Sequence, residues 1–244
     1  MTSPALQTIL KLDPELAKRF FDNSSTYVLT GPAGSSIPAG WASVPTTSFA
    51  SYAEMAAALS AGKVAASVRA ILYDDEAWQF TPSAEQRDPA QYLRLAAEAC
   101  HRHGLTFIAA PAVDLTKVLA PGTPDPHAEY LRLRLAGDAA AYADLIDIQA
   151  QGLEGNQSAY FDFVAKASAQ ARQANSVVVV LAGLSTGPNG RIVQASDLAQ
   201  AMRSTRSIAQ GYWLNVPGTG PQCPGCGAPR PDLAVTFLRT VVQD

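Results

Sequence analysis

Residues 68–110 read VRAILYDDEAWQFTPSAEQRDPAQYLRLAAEACHRHGLTFIAA, and this stretch decides the fold. Val68–Tyr73 is an apolar run with the length of a buried strand. Asp88-Pro89 supplies an N-cap and a first helical residue for a helix over 88–103, which Gly104 stops. Thr106–Ala110 is a second apolar strand. Strand, helix and strand in this order predict a parallel pair joined by a crossover helix.

The alternation extends in both directions. Toward the C-terminus it predicts a mostly helical 126–143, a strand at Leu145–Ala150, a helix over 158–174 capped by Ser158, and a strand at Val177–Ala182. A helix over Ser196–Thr205, a strand at Gly211–Val216 and a helix over 231–242 follow. Toward the N-terminus lies a helix over 48–61, capped by Ser48 or Ser51 and stopped by Gly62. Before it, 31–47 is rich in Gly, Pro and Ser and reads as a long loop, opened by Gly31-Pro32-Ala33-Gly34. Tyr27–Thr30 is a strand, and 4–22 is one amphipathic helix with Leu6, Ile9, Leu10, Leu16 and Phe20 as its stripe. Six strands are clear, Trp41–Val44 is a candidate seventh, and no eighth is visible.

Alternating elements predict an α/β fold with helices outside a parallel sheet. The expectation is a single domain over 1–244, a (β/α)8-type TIM barrel, compact or incomplete. An open doubly wound sheet is the rival. No Gly-x-Gly-x-x-Gly follows the first strand and no P-loop occurs, so a nucleotide-binding version lacks support.

With 48% apolar and 16% charged residues over 244 positions, the chain can bury one large core. A net charge of −3 with scattered Lys and Arg gives no footprint for nucleic acid. No apolar run approaches the roughly 20 residues that span a bilayer, so no membrane partner is expected. The N-terminal residues lack an apolar leader core, which leads to the expectation of a cytoplasmic protein, or a secreted one if a leader has been removed.

In a barrel, the loops after the strands build the site, and residues two apart on a strand share a face. Val68–Tyr73 runs into Asp74-Asp75-Glu76, which puts Asp74 and Glu76 on one face and Asp75 on the other. Crowded carboxyls raise one another's pKa, and a raised carboxyl can serve as a general acid. The other reading is a solvated acidic turn. Asp147, Gln149 and Gln151 recur at period two, followed by Glu154 and Asn156. They would line a polar mouth, or Asp147 and Gln149 would hydrogen-bond internally. Trp213 and Asn215 share a face of the last strand, where Trp213 would be a stacking platform or core. Trp78 and Phe80 would form an opposite wall, and Asp114 and Ser185 end their own strands.

Other motifs carry less. Ser185 sits in Gly183-Leu184-Ser185-Thr186-Gly187, which is not a nucleophile elbow. His101 and His103 close a helix, where they favour the dipole, and no His is placed for a triad. Cys223-Pro224-Gly225-Cys226 reads first as a disulfide, next as free thiols, and last as a redox motif.

The carboxylates on same-face positions at a strand end, with a Trp on the last strand, resemble a glycoside-hydrolase barrel, faintly the chitinase-like family 18. The resemblance covers Val64–Pro217. Residues 147–154 read Asp-Ile-Gln-Ala-Gln-Gly-Leu-Glu, so amides stand where that family's Asp-x-x-Asp-x-Asp-x-Glu strand has acids. The resemblance implies a sugar-cleaving barrel, and no cofactor is expected under this reading.

The functional expectation is a glycosidase-like hydrolase acting on a small-molecule or carbohydrate substrate. Glu76 would be the general acid and Asp74 its partner carboxylate. Gln149, Gln151, Glu154, Asn156, Trp213, Asn215, Trp78 and Asp114 would bind substrate. One alternative is a lyase or cyclase in which Asp74, Glu76 and Asp114 hold Mg²⁺. Another is a barrel that binds a ligand without turnover.

Overall fold

The computed structural model describes residues 1–31 and 37–242. Among the described residues seven strands form one sheet in chain order: β1 (Tyr27–Leu29), β2 (Val44–Phe49), β3 (Ala70–Tyr73), β4 (Thr106–Ala109), β5 (Leu145–Ile148), β6 (Val179–Ser185) and β7 (Gly211–Asn215). Every neighbouring pair is parallel. A doubly wound sheet reverses its strand order at a switch point. This order never reverses, and the sheet curls into a half-barrel.

The described residues also form eleven α-helices: α1 (Ser3–Leu12), α2 (Pro14–Phe21), α3 (Tyr52–Ser60), α4 (Ser83–Arg87), α5 (Pro89–Arg102), α6 (Thr116–Leu119), α7 (Pro126–Arg132), α8 (Leu135–Ala140), α9 (Gln157–Ala174), α10 (Ala195–Thr205) and α11 (Pro231–Val242). Among the described residues no helix is long and apolar enough to cross a membrane.

Strand alternation divides the core in two. Ala70, Leu72, Ile108, Ala110, Leu145, Leu181 and Trp213 form one cluster with Tyr27, Leu29 and Val44 on the concave face. Ile71, Tyr73, Phe107, Ile146, Ile148, Val180 and Leu214 point the other way and pack with the helices. This two-sided burial is why β3 and β5 read as near-continuous apolar runs.

Several boundaries differ from the sequence reading. The N-terminal stretch is two helices, because Asp13 leaves helical geometry and caps the next helix through Leu16 N, with Pro14 at its first position. The second half of the 31–47 loop becomes β2, so the added strand begins at Val44 instead of ending there. Ser48 therefore lies in a strand, and Ser51 alone caps α3. Residues 32–36, which hold most of the Gly31-Pro32-Ala33-Gly34 turn, lie outside the described residues. Helix 126–143 divides at Arg134, which sits in the left-handed region at φ 58°. Asn156, not Ser158, caps α9. The sixth strand runs on to Ser185.

Among the described residues no eighth strand joins the sheet. The outer edge of β1 is taken by the first two residues: Leu29 N donates to Met1 O at 2.8 Å, the Met1 amine donates to Tyr27 O at 3.2 Å, and Thr2 bridges Leu29. Among the described residues no ladder joins this edge to β7. Arg239 on α11 bonds Asp13 Oδ2 at 2.7 Å, which ties the last helix to the cap of α2.

Candidate active site

All strands are parallel, so their C-terminal ends share one rim. β3 reaches it at Tyr73, and alternation sends Asp74 and Glu76 to the concave side and Asp75 to the helix side. Asp74 accepts a hydrogen bond from Gln149 Nε2 at 3.1 Å. That nitrogen also donates to Ala110 O at 2.9 Å. The Asp74 and Glu76 carboxyls are close enough for the charge of Asp74 to raise Glu76. Crowded carboxyls resist ionising together, so the pair tends to keep one proton.

Burial is the main reason the pair holds that proton. It lifts Glu76 to about 9, with the charges of Asp74 and Asp114 adding to the rise and the Gln149 amide and Lys117 opposing it. Burial also raises Asp74, to about 6, and the hydrogen bond from Gln149 opposes that rise. Both carboxyls of the pair are raised, Glu76 the further. Asp114 flanks the pair but is fixed by Ala77 N at 2.8 Å and Lys117 Nζ at 3.2 Å.

The loop after β3 is pinned beside the acids. Trp78 Nε1 donates to Thr81 Oγ1 at 2.8 Å, and Gln86 Nε2 donates to Trp78 O at 2.7 Å. Trp78 meets Phe80 edge-on, with centroids 5.1 Å apart. Both rings are half-buried at the mouth.

On β5 and its extension, Gln151 lies across Gly183. A Cβ there would come within 2.5 Å of the Gln151 amide, so a larger residue at 183 would make that amide shift. Neither the Gln151 amide nor the Asn215 amide is hydrogen-bonded within the described residues. Asp147 lies deeper, fully within the concave core, and its Oδ1 has no partner. Burial raises its pKa, Asp74 adds to the rise, and the charge of the chain's own N-terminus opposes it. Burial in turn pushes the Met1 amine down to about 5.

Three predicted residues stand apart from this group. Glu154 is fully buried, and its carboxylate accepts from Gly152 N at 2.6 Å and Ser185 N at 2.9 Å, which ties the loop after β5 to β6. Asn156 is exposed and spends its side-chain oxygen on Ala159 N. Trp213 is 9% exposed and packs into the concave apolar cluster.

Asp75 completes the acidic trio on the other side of the sheet. It is fully buried, and neither carboxylate oxygen has a hydrogen-bond partner. Burial raises it to about 8, with Glu85, Asp74 and Asp114 adding to the rise. Sequence reading missed Glu85, which lies in α4 and accepts from Tyr73 OH and Tyr52 N at 2.7 Å each, and from Ser51 Oγ at 3.2 Å. A buried acid that closes a distant helix start has no local signature. The sequence reading also missed Met1, whose nearness to Asp147 depends on how β1 lies in the curled sheet.

Among the described residues no three of His, Cys, Asp and Glu are arranged to hold a metal ion. Cys223 and Cys226 form a disulfide in the loop after β7, and Cys100 is free and buried. The disulfide loop packs on the rim, with the Gly225 carbonyl against Gly190 from the loop after β6. No protein-family model matches the chain, and no curated protein matches it.

Proposed function

We propose that the barrel mouth is an acid-catalytic site and that the protein is a glycosidase-like hydrolase. The observation that carries this reading is the Asp74–Glu76 pair, two crowded carboxyls at the end of a barrel strand that burial raises, Glu76 the further. A carboxyl that stays protonated at neutral pH can donate to a leaving-group oxygen. Trp78 and Phe80 beside it offer apolar faces for a sugar ring, and the unpaired amides of Gln151 and Asn215 suit hydroxyl groups.

The closeness of the two carboxyls, on one face of the same strand end, limits the mechanism. Carboxyls on opposite sides of a glycosidic bond stand roughly 5–5.5 Å or 6.5–9.5 Å apart. A pair on one face works from one side as a single acid. Glu76 donates its proton and is left a carboxylate, and the charge of Asp74 holds that proton on Glu76 beforehand. The opposite side would be served by Asp114 or by a neighbouring group of the substrate itself. The faint chitinase-like resemblance fits the second route, since family 18 is substrate-assisted.

The test uses two phenyl glycosides that differ in leaving group. Loss of the acid in Glu76→Gln should slow the unactivated phenyl glycoside by about 10²–10⁴-fold. The dinitrophenyl glycoside, which departs without protonation, should be slowed far less. Equal slowing of both, or no turnover by the unaltered protein across a panel of sugars, would count against the reading.

A further inference from the structure

At the opposite end from the acid pair, the seam between β1 and β7 holds a cavity of about 320 Å³. Tyr27 and Gly211, the first residues of the two edge strands, both line it, so it occupies the place an eighth strand would take. Its walls join the two parts of the core. Trp213 and Leu181 come from the concave cluster, and Phe20, Phe21 and Phe237 come from the helix shell. Met202 on α10 forms another wall, and Ser25 lies on the exposed rim.

The lining is aromatic and aliphatic, with few polar groups left to bind anything. Asn23 is spent on its own turn, through Phe20 O and Ser25 N. Gln210 Oε1 already accepts from Arg172 and Val180 N. The Tyr27 hydroxyl, the Gln210 amide nitrogen, the Trp213 indole N–H and, out on the rim, the Ser25 hydroxyl are the lining side-chain donors with no partner among the described residues. Ligand pockets commonly pair an apolar lining with a small number of placed polar groups, over roughly 300–1,000 Å³. This cavity is at the small end of that range, which suits a molecule of one or two rings and not a chain segment.

From this we infer that the seam is a binding site for a small, flat, apolar molecule carrying a single hydrogen-bond acceptor such as a hydroxyl or carbonyl oxygen. The rings lie among Phe20, Phe21, Trp213 and Phe237, and the oxygen faces Tyr27 or Gln210. The site shares no residue with the acid pair, so it stands whether or not the mouth hydrolyses glycosides.

The probe is 1-naphthol, titrated into the full chain and followed by tryptophan fluorescence and calorimetry. Saturable binding at one site is expected, with a rise in Tm. Met202→Trp fills the cavity and Ser25→Trp blocks its rim, and each should weaken binding at least tenfold. Ser25 is exposed, so its variant remains a fair test if Met202→Trp fails to fold. The inference is overturned if binding does not saturate, or if a folded Ser25→Trp protein binds the probe as tightly as the unaltered one.

Discussion

Gln149 Nε2 lies 3.1 Å from Asp74 Oδ1, so an amide beyond the end of β5 holds a carboxylate at the end of β3, with β4 between them. The same nitrogen bonds Ala110 O at 2.9 Å, so both of its protons are used within the protein. Gln149 thus positions the acid and is not free to bind substrate through its nitrogen. Gln149→Leu removes a donor that favours ionised Asp74. The pKa of Asp74 should then rise above about 6. Carboxyl ¹³C titration of Asp74 reads this without any substrate. An unchanged titration would show that the bond has no electrostatic role.

Glu76→Gln should lower turnover while leaving Tm equal or higher. Glu76 is raised above its unfolded value, so the stability it contributes is fully present below about 4.3 and is lost as pH rises through about 9. Glutamine keeps the size of the neutral acid at every pH. Its Tm advantage should therefore grow between pH 5 and pH 9. A Tm that falls, with turnover per folded molecule preserved, would make Glu76 structural.

Asp75→Asn should show the same sign at a position with no part in the proposed chemistry. The raised pKa of about 8 means that Asp75 stabilises the fold when protonated, below about 3.9, and progressively loses that contribution up to about 8. Asparagine removes the charge from a site where neither oxygen has a donor. Urea unfolding from pH 5 to 9 should give a variant that gains on the unaltered protein as pH rises. Parallel stability curves would mean that the site admits water.

Glu154→Gln should destabilise the protein by about 1–3 kcal/mol, because an amide nitrogen would face backbone N–H groups that now have a carboxylate acceptor. Denaturant unfolding measures this directly. Unchanged stability with weaker substrate binding would return Glu154 to the role the sequence suggested.

Replacing Cys223 and Cys226 together by serine should cost no more than about 2 kcal/mol, the loop-closure value for so short a ring. Titration of the Asp74–Glu76 pair should not change. A double variant that remains folded but shifts that titration would give the disulfide a role in shaping the mouth.

The sequence by itself determined the alternation. Apolar runs such as Val68–Tyr73, Gly104 after a helix and Pro89 at a helix start act over a few residues, and their periods are fixed by backbone geometry. For the same reason it placed Asp74 and Glu76 on one face and Asp75 on the other. The boundaries it missed were set by longer-range competition: β2 exists because Thr46 and Ser48 find partners on β3, in a stretch whose composition reads as loop.

Only the tertiary structure decided which polar residues meet. Gln149 reaches Asp74 across 75 positions of chain, and Glu85 closes α3 from 34 positions beyond Ser51. Glu154 looked like a mouth residue because it follows the right strand, but folding buries it against two backbone amides. Trp213 kept its predicted face, and of its two predicted readings it takes the one as core, since the curl of the sheet turns that face into the barrel's apolar filling. Periodicity gives the direction of a side chain from its own strand. Its depth in the barrel, and the group it finds there, depend on how all seven strands pack together.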